Sequence, residues 1–328
     1  MFNIPFEKFL SGRSELKERI LRMIRAETGA ARNLPISMAI LCWVAAVMFV
    51  KYFSSLMDLH TQNFFRYLGA SVFLSILVRV VYPGCFRKFL ARWPVFLLLG
   101  GMVVAFQICW VNALYHVDPA FVSLLGKFST ILITIMAFAF YHEEREIIRR
   151  GSFIIGFVLG LAGVAGVVAG IPNFKAGLAQ SQKLGIIFVI CSSIIWAFDI
   201  NLVKRVLRSE NSLQAFTFTC VCATLFFLPI MLIWGEASVL LDRPPIIMTL
   251  VVISGVIGIA GANSSYYLSI KRIGMAKSAN LVLAHPFLVA LASFFAFGER
   301  LTALQWVFGV ILLTGCALVI SVQEKSDQ

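Results

Sequence analysis

The sequence predicts an all-α polytopic membrane protein, with ten transmembrane helices arranged as two inverted five-helix repeats. Three observations lead there. First, the 328 residues are 60% hydrophobic and 13% charged, with a mean hydropathy of +0.90, too apolar for a water-soluble domain of this length. Second, the charged residues fall in short clusters about one crossing apart, a crossing helix needing ~20 mainly apolar residues. Third, phrases of the first half return in the second: "WVAAVMFVK", Trp43 to Lys51, is echoed by "WAFDINLVK", Trp196 to Lys204.

Taken in order, residues 1–35 form a basic N-terminal segment. In it Leu16, Ile20, Met23 and Ile24 recur at helical spacing among Lys17, Arg19, Arg22 and Arg25, a pattern that suits a helix lying on the inner leaflet. Ten apolar stretches follow, at about 36–54, 61–82, 94–116, 119–141 and 151–171, then 184–204, 213–235, 246–270, 276–298 and 304–322. The first five make a repeat over 36–171, the last five a repeat over 184–322, and 323–328 are left as a tail.

The net charge of +12 has its explanation in topology, not in nucleic-acid binding. Of the 28 Lys and Arg residues, 19 fall on the side that carries the N terminus, five on the other side, and four (Arg66, Arg79, Lys127, Lys277) within spans. The positive-inside rule then puts both termini in the cytoplasm and the chain in the cell membrane, its loops against anionic lipid headgroups. The seven cysteines are scattered, mostly within spans, and imply neither a disulfide framework nor a metal site. "YHEER" lacks the second histidine of a zinc helix, and no nucleophile and base stand at informative spacing, so neither an enzyme nor a cofactor is expected.

The opening echo keeps register with other matches. "EER" at Glu143 to Arg145 ends the fourth span and "GER" at Gly298 to Arg300 the ninth; Gly156 corresponds to Gly309, and Gln62 to Gln214. Matches that stay in register across five spans read as an internal duplication. Five is odd, so the second repeat enters the membrane from the opposite side, and inverted repeats of this kind open a midplane site to the two sides in turn.

The "FFRYLG" arginine of span two, the Glu-Arg after span four and "LAHPFLVALASFFAFGERLTALQWVFGVILLTG" in the second half resemble the EamA-type branch of the drug/metabolite transporter superfamily. The resemblance runs over about residues 36–322. It implies a ten-helix bundle that carries small molecules across a membrane. The first half departs from the pattern: the register counterpart of Pro286 is Ile131, beside "LLGKFST" with Lys127, and Arg66 is matched by Phe218.

Polar groups at membrane depth cost roughly 2.5–3.5 kcal/mol for a charge at a helix centre, so each requires a reason. Lys127 in span four suits the anionic group of a substrate, against a structural ion pair or a snorkelling lysine. His285 in span nine titrates near neutral pH and suits proton coupling, against a plain hydrogen bond within the bundle. Pro286 beside it removes a backbone donor and favours a kink or hinge. Asp199 in span six pairs with Lys127 or Lys204 or takes a proton. Arg66, placed near the outer end of span two, guides an anion, pairs with Asp58 or meets headgroups.

Gln107, Asn112 and Tyr115 in span three and Asn263 and Tyr266 in span eight are candidates for a cavity wall, with interhelical hydrogen bonding as the other use. Trp43 and Trp196 fall near mid-membrane, away from the interfacial belts, and offer one flat wall from each repeat. Gly156, Gly160, Gly163 and Gly166 in span five suit close helix packing, a homodimer face being one use of it. The within-span cations outnumber Asp199 and tilt the expected cargo toward a small anionic or zwitterionic metabolite moved by alternating access. The alternatives are a flippase for lipid or a lipid-linked precursor and a membrane scaffold or sensor.

Overall fold

The computed structural model describes residues 29–140, 151–170, 179–240 and 242–326. The basic amphipathic segment at 14–26 and the "EER" turn lie outside the described residues. Seven helices are long and apolar enough to cross a membrane, and three shorter apolar helices lie at the predicted fourth, ninth and tenth spans. The protein is thus all-α and polytopic.

Span one is α1, Gly29–Phe53. After a short turn α2, Leu59–Val81, begins on Asp58, whose side chain accepts from the His60 and Thr61 backbone N–H groups at 2.8 and 2.9 Å. An acceptor there satisfies donors that the first helical turn leaves open. Span three is α3, Cys85–His116, bent at Arg92 just ahead of Pro94, whose ring removes a donor and crowds the preceding turn. Span four is two pieces, α4, Pro119–Leu125, and α5, Phe128–Phe140. Span five is α6, Gly151–Ala169.

The second half repeats the plan with α7, Gln180–Leu207, and α8, Ser212–Trp234. Span eight joins α9, Pro245–Gly255, to α10, Ala262–Ile273, through a π-helical segment over Val256–Gly261. Span nine is α11, Met275–Leu281, a 3₁₀ turn over Val282–Ala284, and α12, His285–Phe297. Span ten is α13, Ala303–Ser326, so the expected tail continues the last helix.

The packing maps onto itself when the two halves are exchanged. Helix α1 packs on α10 as α7 packs on α3; α12 on α1 as α5 on α7; α9 on α2 as α3 on α8. The pairs α2 with α8 and α6 with α13 are their own counterparts, and α4 packs on α12 where spans four and nine meet. The apolar side chains left outside, among them Ile76, Leu98, Ile154, Leu232, Phe295 and Val307, are the surface a bilayer solvates.

Spans five and ten pack through glycine. Gly156, Gly160, Gly163 and Gly166 form one buried face of α6. A Cβ on Gly163 would stand 2.6 Å from the Leu312 backbone, and one on Gly315 would stand 2.6 Å from the Gly156 carbonyl oxygen. The glycine face offered by the sequence to a homodimer is therefore occupied by α13 of the same chain. Gly163→Ala should lower thermal stability in detergent by about 1–3 kcal/mol, the usual cost of overpacking. Gly151→Ala, where nothing lies within 4 Å of the added carbon, should leave the melting temperature unchanged or raise it.

Candidate functional site

Between the repeats lies a cavity of about 140 Å³, roughly ten times what one water needs. Spans one, three and four of the first half and six, eight and nine of the second supply most of its wall, with Arg66 and Tyr67 added by span two and Phe216 by span seven. Of the residues singled out in the sequence, Trp43, Arg66, Gln107, Lys127, Trp196, Asp199, Asn263, Tyr266 and His285 line it.

The two echoed tryptophans meet there. Their ring centroids are 6.3 Å apart and nearly perpendicular, at 81°. Tyr266 lies 4.9 Å from Trp43 and stacks on Trp196 at 6.1 Å, and Phe106 closes on Trp196 at 4.9 Å. His285 stands edge-on to Trp43 at 6.3 Å. Such tilted and edge-to-face contacts suit the quadrupoles of the rings and fix a stiff wall.

The charged groups lie against this wall without counter-charges. Arg66 is 2% exposed, its side chain enclosed by the bundle. Its Nε donates to Ser254 Oγ at 3.1 Å, Ser254 Oγ donates to the Val251 carbonyl at 2.7 Å, and one terminal nitrogen of the guanidinium finds no partner. Asp58 does not reach it, being held by the α2 cap and by the Glu236 N–H at 3.0 Å. Asp199 is 1% exposed, and its Oδ1 accepts no hydrogen bond. Neither Arg66, Asp199 nor Lys127 forms an ion pair among the described residues, so the expected pairings of Asp199 with Lys127 or Lys204 are absent. His285 has the Trp43 backbone as its polar neighbour, and among the described residues neither ring nitrogen makes a well-formed hydrogen bond.

Lys127 sits where span four is interrupted. Its N–H turns back to the Leu124 carbonyl at 3.1 Å, and its own carbonyl accepts from the Thr130 N–H at 2.9 Å and the Cys316 thiol at 3.4 Å. Glycine at 126 weakens the helix there, and a Cβ on it would meet Trp110 at 3.0 Å and the Val122 carbonyl oxygen at 2.9 Å. The register partner of Lys127 is Val282, the first residue of the 3₁₀ turn that interrupts span nine. Both line the cavity. Pro286 is thus not inside a continuous helix: it occupies the first turn of α12, where its missing N–H costs nothing, and the break precedes it.

Two singled-out residues do not line the cavity. Tyr115 donates to the Met57 carbonyl at 2.8 Å and accepts from Gln62 Nε2 at 3.2 Å, tying span three to the turn between spans one and two. Asn112 lies two residues past Trp110, turned away from the cavity-lining face of Val103, Phe106, Gln107 and Trp110. Conversely, Ser192 and Ser193 line it without having been singled out. Their position four and three residues ahead of Trp196 is the signal that would have found them. Among the described residues no group of His, Cys, Asp and Glu is placed to hold a metal ion.

The EamA-like transporter family matches this sequence twice, over residues 34–169 and 183–321. The chain belongs to the EamA-like transporter family. It is therefore a multi-pass membrane transporter of the drug/metabolite transporter superfamily, its broken helices and midplane cavity being features that transporters of inverted-repeat design share. An uncharacterized transporter of Haemophilus influenzae is 22% identical over 284 residues, which is 84% of this chain and 92% of that protein. A protein of known crystal structure superposes with a TM-score of 0.65 at 17% identity, over 92% of this chain and all of the other, a likeness of fold.

The off-cavity residues should act on stability alone. Burial by itself would raise the Asp58 carboxyl, but hydrogen bonds from Thr61, Glu236 and His60 outweigh it and hold it below the ordinary carboxylate range. A lowered value stabilises the fold above the unfolded-state pKa of about 3.9 and is lost as pH falls through the folded one. Asp58→Ala should therefore cost about 1 kcal/mol at neutral pH, the difference from the parent closing in acid, as read by thermal melts across pH. Tyr115→Phe should likewise cost about 1 kcal/mol and leave the KM for transport unchanged.

Proposed function

We propose that this EamA-family chain is a secondary transporter that moves a small anionic or zwitterionic metabolite across the cell membrane by alternating access, with both termini in the cytoplasm. The observation that carries this reading is the central cavity, where Arg66, Lys127 and Asp199 face a common space without ion-pair partners among the described residues. A buried charge lacking a counter-charge inside a membrane protein is tolerable where water or a ligand completes it. Two cations and one carboxylate are the complement of a molecule with one acidic group and, in the zwitterionic case, one amine.

Each charge has a role. Arg66, held at Nε by Ser254, turns the remainder of its fork to a carboxylate or phosphate oxygen pair, the geometry that guanidinium recognises best. Lys127, at the break in span four, adds a point charge at the same end of the cargo. Asp199 receives an ammonium, and the Trp43, Trp196 and Tyr266 faces support it from the side. The paired breaks in spans four and nine allow one half-helix to tilt without the other, which is what a switch between two openings demands; Pro286 stiffens the start of the moving piece.

A thermal-shift screen of the purified protein with amino acids, organic acids, sugar phosphates and nucleotides should find its hits among anions or zwitterions. At about a hundredfold excess over Kd, a ligand adds about 2.7 kcal/mol to stability. Lys127→Ala and Arg66→Met should each reduce uptake of that ligand about tenfold or more, from the loss of a charge-assisted hydrogen bond, while membrane insertion is retained. Asp199→Asn should do the same for a zwitterion and leave an amine-free anion unaffected. Uptake unchanged in both cation variants would refute the charge argument.

A further inference from the structure

On the face of the bundle opposite the chain ends, the helices that line the cavity converge on one carboxyl group. Glu299 follows α12, whose first residue, His285, is a cavity wall. Its Oε1 lies 3.8 Å from the Nζ of Lys51, the residue after cavity-lining Val50 on α1. Its other oxygen accepts from Ser293 Oγ. Asp118, which precedes α4, faces it closely enough to share a hydrogen bond, and α4 carries cavity-lining Ser123. Residues from both repeats thus meet at one ionisable group.

A second pocket, of about 150 Å³, opens against Glu299 and Asp118 and connects them to solvent. The other charged or titratable residues lining this pocket are Arg300, whose guanidinium lies over the Phe294 ring at 5.1 Å, and His116, which stacks on Phe188 at 6.1 Å. Gln182 of α7 is the polar neighbour from the remaining wall. Lys51 is the cation paired with Glu299, and Asp118 is the carboxylate opposing it.

We propose that Glu299 is a proton-operated latch: as a carboxylate it holds the Lys51 ammonium and fastens the end of span one to the end of span nine, and on taking a proton from this face it becomes neutral, releases Lys51 and frees the two span ends to separate. Ionisation and closure are then one event. The chemistry of the neighbours supports the range. Burial raises the Glu299 carboxyl; the Ser293 hydrogen bond lowers it, the Asp118 charge raises it and Lys51 lowers it, with a net rise above the ordinary glutamate value. The proton is therefore taken up at a higher pH than by an ordinary glutamate, and the pair is closed once the carboxyl has ionised. This rests on the transporter reading only in that a cavity exists to be closed, and accessibility tests it without transport.

The test uses Ser123→Cys in sealed vesicles, with a membrane-impermeant maleimide applied to each face in turn and labelling counted above that of the parent. Glu299→Gln, which cannot hold Lys51 by charge, is compared with Glu299 at the same pH, so that ionisation of the thiol itself cancels. At about pH 8 the Glu299→Gln protein should label about fivefold faster from the Lys51 face, the scale of a half-buried ion pair. At about pH 5 the two rates should converge as the native carboxyl fills with protons. Lys51→Met should reproduce the Glu299→Gln result and serves where that variant inserts poorly. A rate ratio near one at both pH values in either variant would overturn the latch and leave the cargo-binding reading standing, since uptake of the cargo tests that separately.

Discussion

A charge at membrane depth must be completed by something, and in this protein no described residue completes it with a counter-charge. Arg66, Asp199 and Lys127 border one cavity and ion-pair with no described residue. The bundle is arranged so that the missing partner has a place: the cavity is walled by flat aromatic rings that hold their own positions, and Ser254 fixes the one guanidinium whose direction matters. The rest of the fold keeps lipid away from this space. Glycine seams draw α6 and α13 together at the periphery, and the inner helices are left to spans that carry polar side chains.

The architecture is twofold in geometry and one-sided in chemistry. Trp43 and Trp196 are register partners and touch. Lys127 and Val282, partners at the two helix breaks, both line the cavity, and so do Asp199 and its partner Ala46. A duplicated backbone supplies two similar half-sites, which is what the proposed alternating-access cycle requires. The first half supplies the cations Arg66 and Lys127 and the second half the carboxylate Asp199, the asymmetry on which the proposed cargo rests. A pseudo-symmetric site with polar ends is how one cavity can rock symmetrically and still bind an asymmetric molecule.

Much of this was legible in the sequence because bilayers impose a length and a polarity that single residues cannot disguise. The ten apolar stretches, the doubled register and the convergence of Trp43, Trp196, Asn263 and Tyr266 followed from those constraints. The breaks did not. Span four carries no proline, and only the weak helix former Gly126 ahead of Lys127 marks the interruption; in span nine the proline stands after the break, because a proline is cheapest in a helix's first turn. Arg66 stands eight residues into α2 with its side chain inside the bundle, and hydropathy locates the end of a span but not the face a side chain takes. Asn112 and Tyr115 share a helix face, as their spacing requires, but which face meets the cavity is set by packing against α7 and α8, which no local pattern records. The Lys51–Glu299 contact joins residues far apart in the chain and has no signature within either segment.

The central claim is that the two echoed segments enclose a hydrated space and do not merely pack on one another. It is tested most directly by fluorescence of a protein in which Trp43 and Trp196 are the remaining tryptophans, the other four of the six being replaced by phenylalanine. Reconstituted in vesicles, these indoles should be quenched by acrylamide from the water and spared by brominated lipid, while a protein keeping only the outward-facing Trp234, 62% exposed, should show the lipid quenching they lack. Quenching of Trp43 and Trp196 by the brominated lipid, with none by acrylamide, would contradict the account.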